Sequence, residues 1–424
     1  MNHKPFRIAI LCVVCFTAIT TMTHAQTSQP SADVKALAAD TDAFAADLYD
    51  RLADEKGNLF FSPYSIESAL AMVYGGARGE TAAQMTRVLH FSLPPAQLHP
   101  AAGQLINSLE AAGTVDGKPA CALVVANALW SQKRFPYQPA FQNLVSRNYG
   151  GSLEEVDFAE FEAVRKQING WVEKQTRDKI KELIQPGNID GNTRLVLTNA
   201  IYFKGAWADP FKKELTKTEP FHVDADRTVP VELMHQQHEF AYMETDDMQA
   251  VELPYAGQRL SMVVLLPKKV DGLAALEKQL TAEMINRWVE QLRGREVELS
   301  LPKFTMTCQF ELAATLQAMG MTDAFSGKAD FSGISTAEGM AISKVIHKAF
   351  VEVNEEGTEA AAATAVLMGP TGAFRKPAPP VVFRADHPFV FMIRDRETGV
   401  ILFVGRMVDA AGSASTKSET RNSK

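Results

Sequence analysis

Between an alternating, strand-like block (Val345–Val353) and a stretch crowded with Pro and Gly (Gly369–Pro380) lies a run of small residues that no ordinary element explains. It reads Glu355-Glu356-Gly357-Thr358-Glu359-Ala360-Ala361-Ala362-Ala363-Thr364-Ala365-Val366. Propensity alone makes an alanine run helical, which gives a short surface helix ending at Gly369-Pro370. The flanks argue otherwise, because the run follows a strand and leads into prolines that cannot continue a helix. With a period of two, Thr358, Ala360, Ala362 and Thr364 share one face, and Glu359 falls on the other with Ala361, Ala363 and Ala365. The first face is small and uncharged, so this strand can slide between two others without overpacking the core beneath. Its side chains also lose little rotamer entropy on being ordered. The run is either a helix or a conditional strand, exposed in one state and inserted in another.

The rest of the chain has ample material for a core. Of its 424 residues 46% are apolar and 24 are Phe, which excludes a disordered chain. The formal charge of −7 argues against an electrostatic nucleic-acid binder. At roughly 150 residues per domain the length allows two or three domains or one large one, yet no repeat and no Gly/Ser or Pro linker divides it. Asp33–Ala53 has its apolar residues at mostly helical spacing. Ser62-Pro63-Tyr64-Ser65 opens a helix over Ile66–Tyr74, and Gly75-Gly76 ends it. Phe161–Glu182 reads as a further amphipathic helix, closed by Pro186-Gly187. Strand signals mark Ala122–Trp130, Leu195–Phe203, Arg259–Leu266, Glu296–Leu301, Val345–Val353 and Val400–Val408. Helices and strands do not alternate in a strict βαβ rhythm, so the expected class is α+β with sheets of mixed pairing. Ala410–Lys424 is small and polar and is expected to fray.

At the N-terminus, Lys4 and Arg7 precede an uncharged, mostly apolar run from Ile8 to Thr20, followed by Thr23-His24-Ala25. This is the pattern of a secretory signal peptide over residues 1–25, cut before Gln26. The run is too short and too rich in Thr for a permanent span. Cys12 and Cys15 leave with it, and Val14 before Cys15 is too large for lipoprotein processing. Removing the two cations takes the formal charge from −7 to −9. Cys121 and Cys308 remain, either paired in an oxidising compartment or buried as free thiols.

Enzyme signatures are missing. There is no GxSxG elbow, and Gly75–Gly79 lacks the strand–turn–helix order of a dinucleotide site. His235 and His238 lack the carboxylate spacing of a zinc motif, so surface or core histidines are favoured. A hydrolase using Ser62 or His347 has no motif behind it. No metal and no cofactor is expected.

The blocks around the small-residue run resemble those of a known family, the serpins. Glu355–Thr364 resembles the hinge of an inhibitory serpin's reactive-centre loop, and Phe383–Ile393 is similar to the family's C-terminal signature. Asn58–Ile66, Gly76–Thr81, Thr198–Trp207, Leu301–Phe304 and Thr398–Phe403 also match, in family order from about residue 35 to 409. The resemblance implies one α+β domain over 31–410, with three β-sheets, eight or nine helices and an exposed reactive-centre loop at about 355–380. A polar tail follows at 411–424.

It further implies a monomer that inhibits serine proteases as a suicide substrate; with the N-terminal pattern the expected place is secreted, extracellular or periplasmic, and the acidic charge and the short apolar run leave no nucleic-acid or membrane partner expected. A protease attacks a bond in the loop and forms an acyl-enzyme. The freed hinge then inserts into the central sheet as a new strand and distorts the tethered protease, a mode already described for serpin loops. By this resemblance Gly357 begins the hinge, and Thr358, Glu359, Ala360, Ala361, Ala362, Ala363 and Thr364 enter the sheet behind Glu355 and Glu356. Glu355 and Lys303 form an ion pair at the top of the sheet, worth at most about 1 kcal/mol if mostly solvated. Ser62, Ser65, Asn199 and His347 form a polar cluster beneath the opening, and Trp207 is the aromatic where the loop enters. Counting forward from Gly357 places the scissile bond at Thr371-Gly372; counting back from Phe383 places it at Phe374-Arg375 or Arg375-Lys376. The forward count is preferred, because inhibition depends on the length of the inserting arm. Thr371 suits an elastase- or subtilisin-like pocket, Phe374 a chymotrypsin-like one and Arg375 a trypsin-like one. The alternative is a non-inhibitory serpin, a binding or chaperone-like module. Bulky or charged hinge residues often mark that type, and the run Thr358–Ala365 has none beyond the outward Glu359.

Overall fold

Helix α1, Ala32–Leu52, starts where the Ser31 hydroxyl accepts the Val34 N–H, and it buries Val34, Leu37, Phe44 and Leu48 along one face. Helix α2, Pro63–Tyr74, is capped by Ser62 Oγ accepting the Ser65 N–H at 3.1 Å, and it ends at Gly75. Both agree with the sequence expectation. The computed structural model describes residues 29–115, 118–119, 121–133, 135–358, 379–411 and 415–417. Residues 1–25, where a signal peptide is expected, the hinge residues expected beyond Thr358, and Thr371, Gly372, Phe374, Arg375 and Lys376 lie outside these residues.

Two large sheets and a small hairpin organise the described chain, together with nine α-helices. The strands of the seven-stranded sheet are β1 (Cys121–Gln132), β2 (Ser152–Val156), β3 (Leu195–Ala206), β4 (Phe304–Glu311), β5 (Lys344–Asn354), β6 (Gly357–Thr358) and β7 (Ser415–Lys417). Their spatial order is β7-β4-β5-β6-β3-β1-β2. Strands β3 and β5 pair directly and in parallel from Val196↔Lys344 to Tyr202↔Phe350. Beyond that point they part, and β6 lies between them, antiparallel to both.

The nine-stranded sheet runs in order through Leu59–Phe61, Ile401–Met407, Phe389–Asp395, Leu260–Pro267, Met248–Pro254, Thr228–Glu244, Arg293–Pro302 and Val381–Arg384, with Lys217–His222 beside Thr228–Glu244. Val381–Arg384 pairs in parallel with Arg293–Pro302. The chain that leaves one sheet at Thr358 is thus picked up again by the other. Helix α2 packs on strands of both sheets, Leu195–Ala206 and Ile401–Met407 among them. That burial explains why all its residues but Ser68 are buried.

Three other helices bear on the site and its surroundings: α3 (Pro95–Ala112), α4 (Pro139–Asn148) and α5 (Phe161–Gln175). Helix α5 covers the outer face of β1 and β3, with Trp130, Val164, Ile168, Val172 and Ile180 in one cluster. It stops at Gln175, not at Glu182 as the periodicity predicts. Thr176 Oγ1 donates to Val172 O at 2.8 Å and accepts the Ile180 N–H at 3.2 Å, while Arg177 and Asp178 take positive φ of 50° and 63°. The helical-looking apolar positions beyond, Ile180, Leu183 and Ile184, are instead buried by an irregular segment lying on the sheet. From the polar tail, Ser415–Lys417 is described as a strand parallel to Thr307–Gln309, where the sequence leads one to expect no regular structure. Cys121 and Cys308 are buried and form no disulfide. They lie on β1 and β4, with β3, β6 and β5 between.

Candidate functional site

The site is the wedge where β3 and β5 diverge. Gly357 stands opposite Ala206 on one side and Asn354 on the other, and Thr358 opposite Gly205 and Val353. Gly357 has φ of +143°, and a Cβ there would lie 2.1 Å from Gly205 O and 2.7 Å from Ala206 Cα. Glycine is required here, therefore, for close backbone approach as much as for its freedom to turn. Thr358 is fully buried, and its hydroxyl is 2.9 Å from that of Tyr255. Tyr255 is also fully buried and stacks on Trp207 at 4.6 Å with planes 10° apart. Trp207 closes the wedge from above: its indole N–H donates to Asn354 O at 3.0 Å and its backbone N–H to Glu356 O at 3.0 Å. Trp207, expected as the aromatic where the loop enters, thus borders β6 through Asn354 and Glu356.

Glu355 is held tightly just before the wedge. Its carboxylate accepts from Thr216 Oγ1 at 2.8 Å and pairs with Lys303 Nζ at 3.2 Å, and Lys303 also pairs with Glu232 at 3.1 Å. Burial pushes the Glu355 carboxyl up, but its own backbone N–H, Thr216 and Lys303 outweigh that and hold it below the usual range. The side chain of Glu355 is only 7% exposed and that of Lys303 30%. The premise of a mostly solvated pair therefore fails, and losing one partner strands a charge at a nearly buried position. Glu356 points outward, to Lys213 Nζ at 2.5 Å.

Below the wedge, the parallel seam is pinned by side chains. His347, on β5 and fully buried, accepts the Ser62 N–H on Nε2 at 3.1 Å. Its other ring nitrogen is thereby protonated and donates to Asn199 Oδ1 on β3. The Asn199 amide donates to Ser65 O at 2.8 Å, to Ser65 Oγ at 2.5 Å and to Asn127 Oδ1 on β1. Ser62 Oγ donates to Leu402 O at 2.5 Å in the opposite sheet. Desolvation lowers the His347 pKa to about 3, so the ring is neutral in the fold. One network thus joins three strands of the seven-stranded sheet, helix α2 and the second sheet.

The structure brings Ser62, Ser65, Asn199 and His347 into one cluster, and Glu355, Lys303, Gly357, Thr358 and Trp207 into another. Sequence reasoning did not single out Tyr255, Thr216 or Asn127. Asn127 leaves a trace, since a lone Asn inside the apolar strand run Ala122–Trp130 must find partners when buried, as Asn199 does in β3. Tyr255 and Thr216 lie in connecting segments and leave none. His235 and His238 do not converge: they pair with Ser300 and Val297 in one strand register and so point to opposite faces.

The sequence profile of the family described as "Serpin (serine protease inhibitor)" matches residues 39–410. An uncharacterized serpin-like protein of Thermococcus kodakarensis is 44% identical over 369 residues, covering 87% of this chain and 84% of its own. The leukocyte elastase inhibitor of Homo sapiens is 43% identical over 375 residues, 86% of this chain and 96% of that protein. Among solved structures, human thyroxine-binding globulin complexed with its hormone superposes with a TM-score of 0.81 at 31% identity, covering 89% of this chain and all of that one.

Proposed function

The chain belongs to the serpin family, and on that premise we propose that it is an inhibitory member, a suicide substrate of a serine protease. The observation that carries this reading is β6: the first two hinge residues already occupy the slot between β3 and β5. The residues that follow, Glu359 to Ala365, are small apart from Glu359, so the same slot can accept them in turn. In this reading the protease serine attacks the carbonyl of Thr371, the Gly372 amine leaves, and the acyl-enzyme is trapped as the arm from Thr358 zips downward. His347, Asn199, Ser62 and Ser65 then act as the clasp that this zipping must part, and Trp207 with Tyr255 as the entry it passes. The relative that inhibits leukocyte elastase fits an elastase-like target and Thr371 at the cut. The N-terminal pattern supports secretion to the cell exterior or a periplasm, with a mature chain beginning at Gln26.

Incubation with elastase-, trypsin- and chymotrypsin-type enzymes tests the reading. A complex surviving SDS is expected with one of them, together with a released C-terminal peptide whose first residue identifies the bond. Cleavage in the loop that returns only free, active protease would sink it. N-terminal sequencing of the exported protein checks the Gln26 start in the same preparation.

The second reading, a non-inhibitory binding member, has one observation in its favour: a structural relative was solved with a bound hormone. The small-residue hinge weighs against it, because a binding role places no such demand on residues 358–365.

A further inference from the structure

Strand β1 has a partner on both sides only along its lower half. It pairs with β3 from Cys121 to Ser131, but β2 covers its outer side only from Ala128 to Gln132. Over Ala122–Asn127 no strand lies on the outer side among the described residues. An edge of this kind presents alternate backbone N–H and C=O groups, about three of each over six residues, as a template for another chain. Native proteins usually blunt such an edge with Pro, Lys or a covering element. Here it instead borders a cavity of about 560 Å³ lined by Leu123–Asn127 and by residues of α3, α4 and α5.

Two further features say what fits. Exposed Glu110 of α3 and exposed Arg147 of α4 both line the cavity, and neither forms an ion pair among the described residues. Gly150 also lines it, with φ of +59° and open space where a Cβ would be, so no side chain closes that wall. Trp171 and Leu123 supply the apolar walls.

We propose that this cavity is a binding site for a short extended peptide, added as an extra strand on the open edge of β1. Six residues at about 3.3 Å each span the open edge, so a tetrapeptide covers about two thirds of it. The main chain satisfies the ladder groups, a C-terminal carboxylate meets Arg147, and an amino group or a basic side chain meets Glu110. The site is separate from the wedge between β3 and β5, with the full width of β3 and β1 between them.

The probe is the tetrapeptide Lys-Val-Thr-Val with a free carboxylate, added to the full chain and followed by backbone hydrogen exchange. Exchange over Ala122–Asn127 is expected to slow at least tenfold at saturation, and a peptide N-methylated at alternate amides is expected to give no protection. The C-terminal amide of the same peptide is expected to bind about threefold more weakly, as for a solvent-exposed ion pair. That difference should vanish in Arg147→Gln, a surface change that leaves the fold intact. Protection falling on Gly205–Trp207 and Val351–Asn354 means insertion into the wedge and overturns the proposal. It is equally overturned by no protection anywhere, or by a carboxylate preference that persists in Arg147→Gln.

Discussion

Gly357 and His347 show how single residues set the wedge between β3 and β5 and the seam below it. A methyl group at 357 has nowhere to go, with Gly205 O at 2.1 Å, and φ of +143° is unfavourable for any residue with a Cβ. Such strain costs on the order of 1–3 kcal/mol, comparable to what the few ladder bonds of a two-residue strand return, and the clash with Gly205 O adds to it. Gly357→Ala is therefore expected to withdraw β6 from the sheet without unfolding the protein. Trp207 reports on it, since its stacking on Tyr255 and its bond to Asn354 O both border β6. A red-shifted Trp207 emission with unchanged far-ultraviolet circular dichroism is the expected result, and an unshifted spectrum contradicts it. At the other end, His347 is neutral with its pKa lowered to about 3 by desolvation. Its unfolded-state value is near 6.5, so the unfolded or opened state takes up the proton first as pH falls. Stability from this group is complete above about pH 6.5 and drains away toward pH 3. Relative to His347→Gln, which has no such proton, the wild type should lose about 2 kcal/mol between pH 7 and pH 5. Denaturant midpoints of the two proteins at both pH values measure it, and parallel pH profiles would rule it out.

At the scale of elements, the strands were readable where β-branched and apolar residues crowd together, and β1, β3 and β5 were each anticipated within three residues of their ends. What could not be read is who pairs with whom. Val196 and Lys344 are partners in the parallel seam, yet nothing local in either strand specifies a neighbour so far along the chain. The polar cluster was legible only through family resemblance, because Ser62, Asn199 and His347 meet across three elements. The overrun of α5 has a different cause. Ile180, Leu183 and Ile184 keep a helix-like spacing, but burial against the sheet is satisfied by an irregular path once Thr176 bonds back to Val172. On the proposed inhibitory reading, insertion likewise exchanges pairings. The seam between β3 and β5 is a single parallel ladder, and a strand driven between them replaces it with two antiparallel ones. Parallel pairing is slightly the weaker per residue, so the exchange runs downhill once the clasp at His347 opens.

For the whole molecule, this exchange predicts a stability gap between two covalent states of one chain. An arm of about a dozen residues that completes the sheet adds a net ladder of backbone bonds. At about 1 kcal/mol each the gain is on the order of 10 kcal/mol, before the burial of the alanine face is counted. The uncut chain cannot take this path far, because the arm is tied at its far end to Val381–Arg384 in the other sheet. Cutting the loop removes the tether and nothing else. Loop-cleaved protein is therefore expected to melt more than 10 °C above the intact protein, using roughly 2 °C or somewhat less per kcal/mol for a chain this large. The shift should appear with any protease that cuts between Ala365 and Pro380, including one that is not trapped, since the gain belongs to the sheet and not to the enzyme. Calorimetry of intact and cleaved samples at one pH decides the matter. Equal melting temperatures would mean that the arm stays outside the sheet after cleavage, which removes the force on which trapping depends and leaves the binding role as the surviving reading.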